Sequence, residues 1–465
     1  MSGRAVQATI LRLQLAAVCA GLAYARTETF EIHVSSNPDV NSDLPGNAAL
    51  GTAANPFGSV HAARDAMRAG LGAGKPRIVL ISGEHHLSEP LRLDARDAAS
   101  ASSPVVWRSA NPLQEPARLT GGAKIPGDAF TAAGAVPSGA AGVMKVDLYS
   151  HGLNSTAIPG MSNPYPWDNL ELFVDGMPMT RARYPNIAEN GTWIWSGYEN
   201  MSVPDHPNMT FTFKDTTAAE IWAPAVAKGD LWIHGFFEFD WRDTFIRIDK
   251  IESDGSGSYT VTRDAATPPQ YPFTKGCRFY AVAALELLDV PGEYHVDKAT
   301  GTLYFLPHEP MSASTDVVVS LIPNVVALDG AHHHSFKDMT ISTSRDVAVL
   351  VTNSMNVTVD NCVVSNAGKA CLSLNGANNT ASSNTVFGCG AAAISISSGS
   401  TTTLEPGHTS VIGNTITNFS RIQRTYAAGI GFDGVGNYVA NNTITHAPHT
   451  AITGGGNDNL FGAFA

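Results

Sequence analysis

Over its last third the chain repeats its apolar positions. Pairs at Val349/Val351, Leu372/Leu374, Ile394/Ile396 and Ile430/Phe432 return every 22 or 23 residues, apart from one interval enlarged to 36. Ile452 continues the series alone, with Thr450 at its partner position. A polar residue follows each: Thr352, Asn375, Ser397, Asp433 and Thr453. Between the pairs lie segments rich in asparagine, Val359-Asp360-Asn361, Ser383-Asn384, Gly413-Asn414-Thr415-Ile416 and Asn441-Asn442-Thr443-Ile444. A fixed period enclosing short strands is the mark of a solenoid. A period near 22 with β-branched residues, Asn/Gly turns and no helical spacing predicts a parallel β-helix, an all-β fold.

Upstream, residues 30–34, 77–81, 91–93, 105–107 and 117–120 read as strands bounded by Gly, Pro or Ser. Residues 60–69 have helical composition, with Ser59 as N-cap and Gly70 as stop. Such a helix would cover the open first coil, which a solenoid requires. From about 140 to 310 the pattern changes to alternation in period 2, as in Leu170-Glu171-Leu172-Phe173-Val174 and Phe245-Ile246-Arg247-Ile248, with turn signals at Asp175-Gly176 and Thr300-Gly301. The expected organisation is a signal peptide at 1–25, an N-terminal cap and first coils at 26–135, an inserted antiparallel β domain at 136–312, and coils at 313–465 that end without a cap. Two insertions, 399–408 and 418–428, account for the enlarged interval. In solenoids such insertions gather on one face, often the binding face.

Composition adds a compartment and excludes some partners. Arg4 and Arg12 precede a short apolar run that ends in Ala23-Tyr24-Ala25, a small-x-small cleavage site. The run is too short to span a bilayer, so secretion is expected, with no stable membrane insertion. The net charge is −12, and cleavage makes it two units more negative. Such a chain is a poor partner for nucleic acid. Eight N-x-Ser/Thr sequons, at Asn154, Asn190, Asn200, Asn208, Asn356, Asn378, Asn418 and Asn441, suit a secreted glycoprotein. Counting one period on from Cys362 reaches Thr385, and from Cys371 about Ile394, so buried free thiols are expected rather than a disulfide ladder.

Several ordered segments carry a resemblance. They are Asn55-Pro56-Phe57-Gly58-Ser59; Leu172-Phe173-Val174-Asp175-Gly176 with Thr180-Arg181-Ala182-Arg183-Tyr184-Pro185-Asn186; Pro291-Gly292-Glu293-Tyr294 with Thr300-Gly301-Thr302-Leu303-Tyr304; and Gly434-Val435-Gly436-Asn437, Ala447-Pro448-His449 and Gly455-Gly456-Asn457-Asp458. Together they resemble right-handed parallel β-helix proteins of the pectin-lyase-like superfamily, closest to those of glycoside hydrolase family 141. The resemblance implies a right-handed helix and hydrolysis of a glycosidic bond in a cell-wall or algal polysaccharide. Relatives of that kind continue past the Gly-Gly-Asn-Asp segment with further coils, acidic residues and a cap, so the resemblance also implies a C-terminal truncation here.

Glycoside hydrolysis needs two carboxylates, about 5 Å apart for retention and about 6.5–9.5 Å for inversion. Asp433 is the single carboxylate in the outward polar column, and it reads equally as an Asp-Gly turn. Asp458, one coil on, reads as a site residue or a tight corner. His446 and His449 share that coil and could serve as acid, base or hydroxyl-binding groups. Arg421, Arg424 and Tyr426 on the second insertion are candidate substrate contacts, as is Arg183, for which an ion pair with the helix is the competing role. In His332-His333-His334 only the alternate pair could share a ligand, so neither a metal site nor a cofactor is expected. A monomer acting on a polysaccharide or oligosaccharide is the resulting expectation. The alternatives are a polysaccharide lyase on a uronic-acid polymer, using Lys369, Arg421 or Arg424 as base, and a non-catalytic glycan-binding protein.

Overall fold

The computed structural model describes residues 28–37, 50–187, 197–202 and 209–454. Three parallel sheets run the length of the solenoid. A typical coil places His334–Lys337 on the first face, Thr340–Ser344 on the second and Val349–Met355 on the third, then returns to the first with Thr358–Asp360. The apolar pairs stack in register: Val349 on Leu372, Leu372 on Ile394 and Ile394 on Ile430, with Val351, Leu374, Ile396 and Phe432 beside them. All but Phe432 are essentially inaccessible. Burying each such side chain contributes about 1.5–3 kcal/mol, so the repeat read in the sequence is the core itself.

The asparagine segments form turns between the first and second faces. Asn384 Nδ2 donates to Asn414 Oδ1 at 2.9 Å, and Asn414 Nδ2 donates to Asn442 Oδ1 at 2.9 Å. Each side chain also donates to a backbone carbonyl inside the coil, Val359, Ala381 and Val411 in turn. Each Oδ1 accepts a backbone N–H from the preceding coil, that of Cys362, Asn384 or Asn414. The ladder satisfies groups that a tight buried turn would leave bare.

The last register differs from expectation. Ile452 stacks on Ile430, one full period away, not on Phe432, so Thr453 lies over Gly431 and outside the Asp433 column. Asp329 and Asp94 extend the same face near its other end. The disulfide expectation is also overturned: Cys371 and Cys389 are bonded, with Cα atoms 5.5 Å apart, while Cys277 and Cys362 are free. Both bonded cysteines lie in the corners that join second to third face. A corner can return to the same place after 18 residues, so counting strand periods misses the pair.

At the N-terminal end α1 (Val60–Arg68) caps the core through Val60, Ala63 and Met67, with Ser59 Oγ accepting the Ala62 N–H. The solenoid is interrupted where Arg118–Thr120 stacks directly on Thr340–Ser344. Between them Gly122–Pro126 pairs antiparallel with Asp316–Ser320, so the excursion runs from about 122 to 320, wider than the expected 136–312. Its largest sheet is antiparallel and contains Trp232–Phe236, Thr244–Ser253 and Arg278–Val282. It also holds a helix the period-2 reading did not anticipate, α2 (Thr216–Lys228). Asp215 caps it, Gly229 ends it in the left-handed conformation, and Ala218, Ala219, Trp222 and Ala225 form its buried stripe. Trp222 stacks on Phe213 at 4.8 Å. No helix among the described residues is long and apolar enough to cross a membrane.

Candidate functional site

The corners between second and third faces stack beside the inserted domain and carry its contacts. Arg345 pairs with Asp168 at 3.4 Å, Asn366 Nδ2 donates to Gly176 O at 2.8 Å, and the Lys369 ammonium sits 4.9 Å over the Trp167 ring. The enlarged corner at 418–428 docks most firmly. There the buried Asp243 carboxylate accepts the backbone N–H groups of Arg424 and Thr425 and the Thr425 hydroxyl. It also accepts His234 Nε2–H at 2.9 Å. Burial works against the Asp243 charge, yet the His234 bond and the loop donors outweigh it and hold the carboxyl below its ordinary value. Burial keeps His234 neutral. Its bare Nδ1 faces no partner and the ring packs on Phe245 and Tyr280, which suits the Nε2–H tautomer assigned from these bonds.

Docking closes a cleft of about 220 Å³ between the corner and the inserted domain. Four of its lining residues are arginines, Arg181, Arg183, Arg421 and Arg424, with one lining carboxylate, Glu171. Arg421 donates bidentately to Glu171, at 2.7 and 3.1 Å, and through Nε to Gly388 O. Arg183 is 5% exposed and its guanidinium carbon lies over Tyr280, 3.5 Å from the ring centroid. A desolvated cation–π contact of this kind contributes about 2 kcal/mol. Its Nε and Nη2 donate to the Pro185 and Gly197 carbonyls. Arg181 donates to Leu170 O and stands 5.3 Å over Tyr294. Among the described residues Arg183 makes no ion pair with the helix, and Arg421 with Glu171 makes that link.

A second cavity adjoins across Thr180 and Arg183 and is lined by Glu293 and His308. Burial raises the Glu293 carboxyl to about 8. Its two oxygens accept the backbone N–H groups of Arg183 and Asp289, so it braces the strand that presents Arg183. The folded pKa lies above the unfolded value of about 4.3. Stability from this group is therefore complete below about pH 4 and is lost as pH rises toward 8. Melting temperature should fall between pH 5 and 9, and Glu293→Gln should flatten that slope; an unchanged slope would remove Glu293 from this role.

At the cleft's edge Tyr426 holds a left-handed backbone, φ 52°, a strained state for an aromatic residue and one that concentrates at functional sites. Tyr426 is 56% exposed and Trp241 38%. Their rings meet edge to face at 6.2 Å, Phe239 stacks on Trp241 at 4.7 Å, and His449 lies 5.1 Å from Tyr426. His449 Nδ1 accepts from Tyr426 N at 3.5 Å and lies 2.7 Å from Thr450 Oγ1. His446 Nδ1 lies 3.2 Å from Thr417 Oγ1. Exposed aromatic faces beside polar groups are suited to stacking on sugar rings.

The structure thus gathers Arg183, Arg421 and Arg424 in one cleft and sets Tyr426, His446 and His449 along the corner stack. Asp433 stands apart, exposed at the other end of the strand Ile430–Gly434, about 10 Å along at about 3.3 Å per residue. Its row neighbour is Ser397, and beyond that Asn375. Asp458 lies outside the described residues. Neighbouring groups engage all three of the His332–334 run. His332 Nδ1 accepts Met355 N–H, His333 Nε2 is 3.5 Å from Asn356 Nδ2, and buried His334 bridges Trp107 and the Asp97 carbonyl. Local alternation does not mark Glu171, Tyr280 or Tyr294 as cleft residues. Period-2 alternation assigns Glu171 to solvent, and only docking of the corner buries it.

A model of the right-handed β-helix region matches residues 323–416. No curated protein matches the sequence. Among solved structures, one described as a glycoside hydrolase superposes with a TM-score of 0.70 at 17% identity, over 91% of this chain and 79% of that one. A complex of XylC with xylose gives a TM-score of 0.47 at 10% identity, over 91% and 63%; likeness that distant carries no argument. The matched region and the stacked register establish an all-β, right-handed parallel β-helix with an inserted antiparallel β domain.

Proposed function

We propose that this is a secreted carbohydrate-active protein that binds a polysaccharide along the corner stack and hydrolyses a glycosidic bond in it. The observation that carries this reading is the Tyr426, Trp241 and Phe239 cluster, exposed beside His449 and two residues along the chain from Arg424 of the cleft. The buried disulfide suits an oxidising compartment. The sequon residues Asn154, Asn200, Asn356, Asn378, Asn418 and Asn441 are all exposed, as glycosylation needs; Asn190 and Asn208 lie outside the described residues. Within the resemblance to family 141 enzymes, Asp433 is one reacting carboxylate and Asp458 the candidate for the other.

Incubating the protein with neutral and acidic polysaccharides tests the reading. New reducing ends without the absorbance of an unsaturated uronate support hydrolysis, and growth of that absorbance would establish a lyase. The lyase reading is weakened by the bidentate bond that holds Arg421 on Glu171. Asp433→Asn should lower kcat about 100- to 10,000-fold, as loss of an acid–base group does; full retained activity would refute the assignment. A second reading, glycan binding without catalysis, is favoured by the row under Asp433, where Ser397 and Asn375 occupy the places a paired carboxylate would take. Saturable binding with no product from any polysaccharide would select it.

A further inference from the structure

The protein is acidic overall, yet the cleft beneath the aromatic rim is cationic. Arg181, Arg183, Arg421 and Arg424 line it against the single carboxylate of Glu171, which Arg421 already occupies in both oxygens. The ionised Asp243 carboxylate is bound at the Arg424 backbone, so the cleft cations left without a carboxylate partner among the described residues are Arg181 and Arg183. Arg183 is buried with no carboxylate in ion-pair distance among the described residues, and spends Nε and one Nη2 hydrogen on backbone carbonyls. A guanidinium has five donors, so three have no partner among the described residues. Arg181 likewise has only a carbonyl and the Tyr294 hydroxyl as polar partners. Uncompensated buried charge is costly, and its persistence in a cavity points to a ligand of opposite sign.

The cavity's shape narrows the ligand. At about 220 Å³ it lies below the roughly 300–1,000 Å³ that holds a drug-sized molecule, so it suits one ring rather than an oligosaccharide. The rings of Tyr280 and Tyr294 and the side chains of Met179 and Ile422 furnish apolar walls. Planar guanidinium groups select carboxylates and sulfate-type oxyanions through paired N–H donors.

We propose that this cleft is a subsite for an anionic sugar unit, with Arg181 and Arg183 receiving its oxyanion while the chain continues across the aromatic rim. The proposal rests on the carbohydrate reading above and names its substrate class. The carboxylate of a uronic acid and the sulfate ester of a sulfated sugar share this chemistry.

Calorimetric titration of the full chain with oligogalacturonate, its fully methyl-esterified form and a sulfated galactan oligosaccharide tests it. Esterification removes the charge and keeps the backbone, so the acid or the sulfated oligomer should bind at least about tenfold more tightly than the ester. That advantage should shrink between ~50 and ~500 mM NaCl as screening grows. Which of the two anionic oligomers binds identifies the source of the oxyanion. Arg181→Gln and Arg181→Ala should each abolish most of the preference, with residual binding of the ester and the melting temperature of each variant measured alongside to show that it is folded. Equal binding of acid, sulfated and ester forms would overturn the charge inference and leave the carbohydrate reading standing. A preference that survives both variants would overturn the cleft as its seat. Absence of binding by every saccharide would instead bring down the carbohydrate reading.

Discussion

Replacing Asp243 with alanine should cost about 3–5 kcal/mol of stability, the range for removing one member of a buried, hydrogen-bonded charge network. The substitution strands His234 Nε2–H, the backbone N–H groups of Arg424 and Thr425, and the Thr425 hydroxyl together. Solvent has no ready access to any of them, as Asp243 and His234 are fully buried and Thr425 nearly so. The 418–428 corner should lose its anchor before the solenoid core does, because the coil strands keep their own ladders. Trypsin supplies a local readout, since Arg421 and Arg424 lie on that corner. Cleavage there should accelerate in the variant under conditions where the denaturation midpoint still reports a folded chain. Unchanged cleavage and a loss below about 1 kcal/mol would show that the corner is held elsewhere. Asp243→Asn, which keeps one acceptor, should fall between the variant and the parent.

Asn414→Ala should be nearly as damaging, at about 2–4 kcal/mol, because unpaired buried polar groups cost about 1–3 kcal/mol each. Its Nδ2 serves the Ala381 carbonyl and Asn442 Oδ1, and its Oδ1 receives the Asn384 backbone and side-chain donors. The loss spreads to two coils at once. Chemical denaturation of the variant against Asn111→Ala, an exposed asparagine outside the left-handed region, separates the ladder from any generic effect. Equal midpoints for the two would disprove the ladder's contribution.

These two positions differ in how far counting along the chain reaches them. Asn414 sits in a recurring asparagine segment, and its place in a turn between stacked strands follows from the period. Its bonds follow too, because parallel strands hold equivalent residues about 4.8 Å apart. Asp243 carries no such signal. With Asp240 and Trp241 it reads as a domain-packing corner, but its partners Arg424 and Thr425 are 181 and 182 residues away, beyond the reach of local pattern. The same limit explains the cysteines. Corner lengths vary from coil to coil, so Cys371 and Cys389 meet by the path of the corner and not by the period. Thr453 is a different case, because the ordinary 22-residue step carries Ile430 to Ile452 and so places Thr453 over Gly431.

Of the candidate site, Arg183, Arg421, Arg424 and Tyr426 were legible as residue types on an insertion or a strand that could face a ligand. Their convergence was not, since the Arg421–Glu171 bond spans 250 residues. Asp433, chosen for its place in a polar column, has Ser397 as its row neighbour on the preceding coil, and the same face carries Asp329 and Asp94 further along.

The sequence by itself determined the solenoid. Inward β-branched side chains at a fixed period leave the backbone one efficient way to satisfy its hydrogen bonds, each coil upon the last. Tertiary structure alone decided the cleft, the disulfide and the buried Asp243 hub. Those depend on how corners of unequal length meet a separately folded insertion, and contacts of that kind are set by shape and charge across distant segments, where no local periodicity reaches.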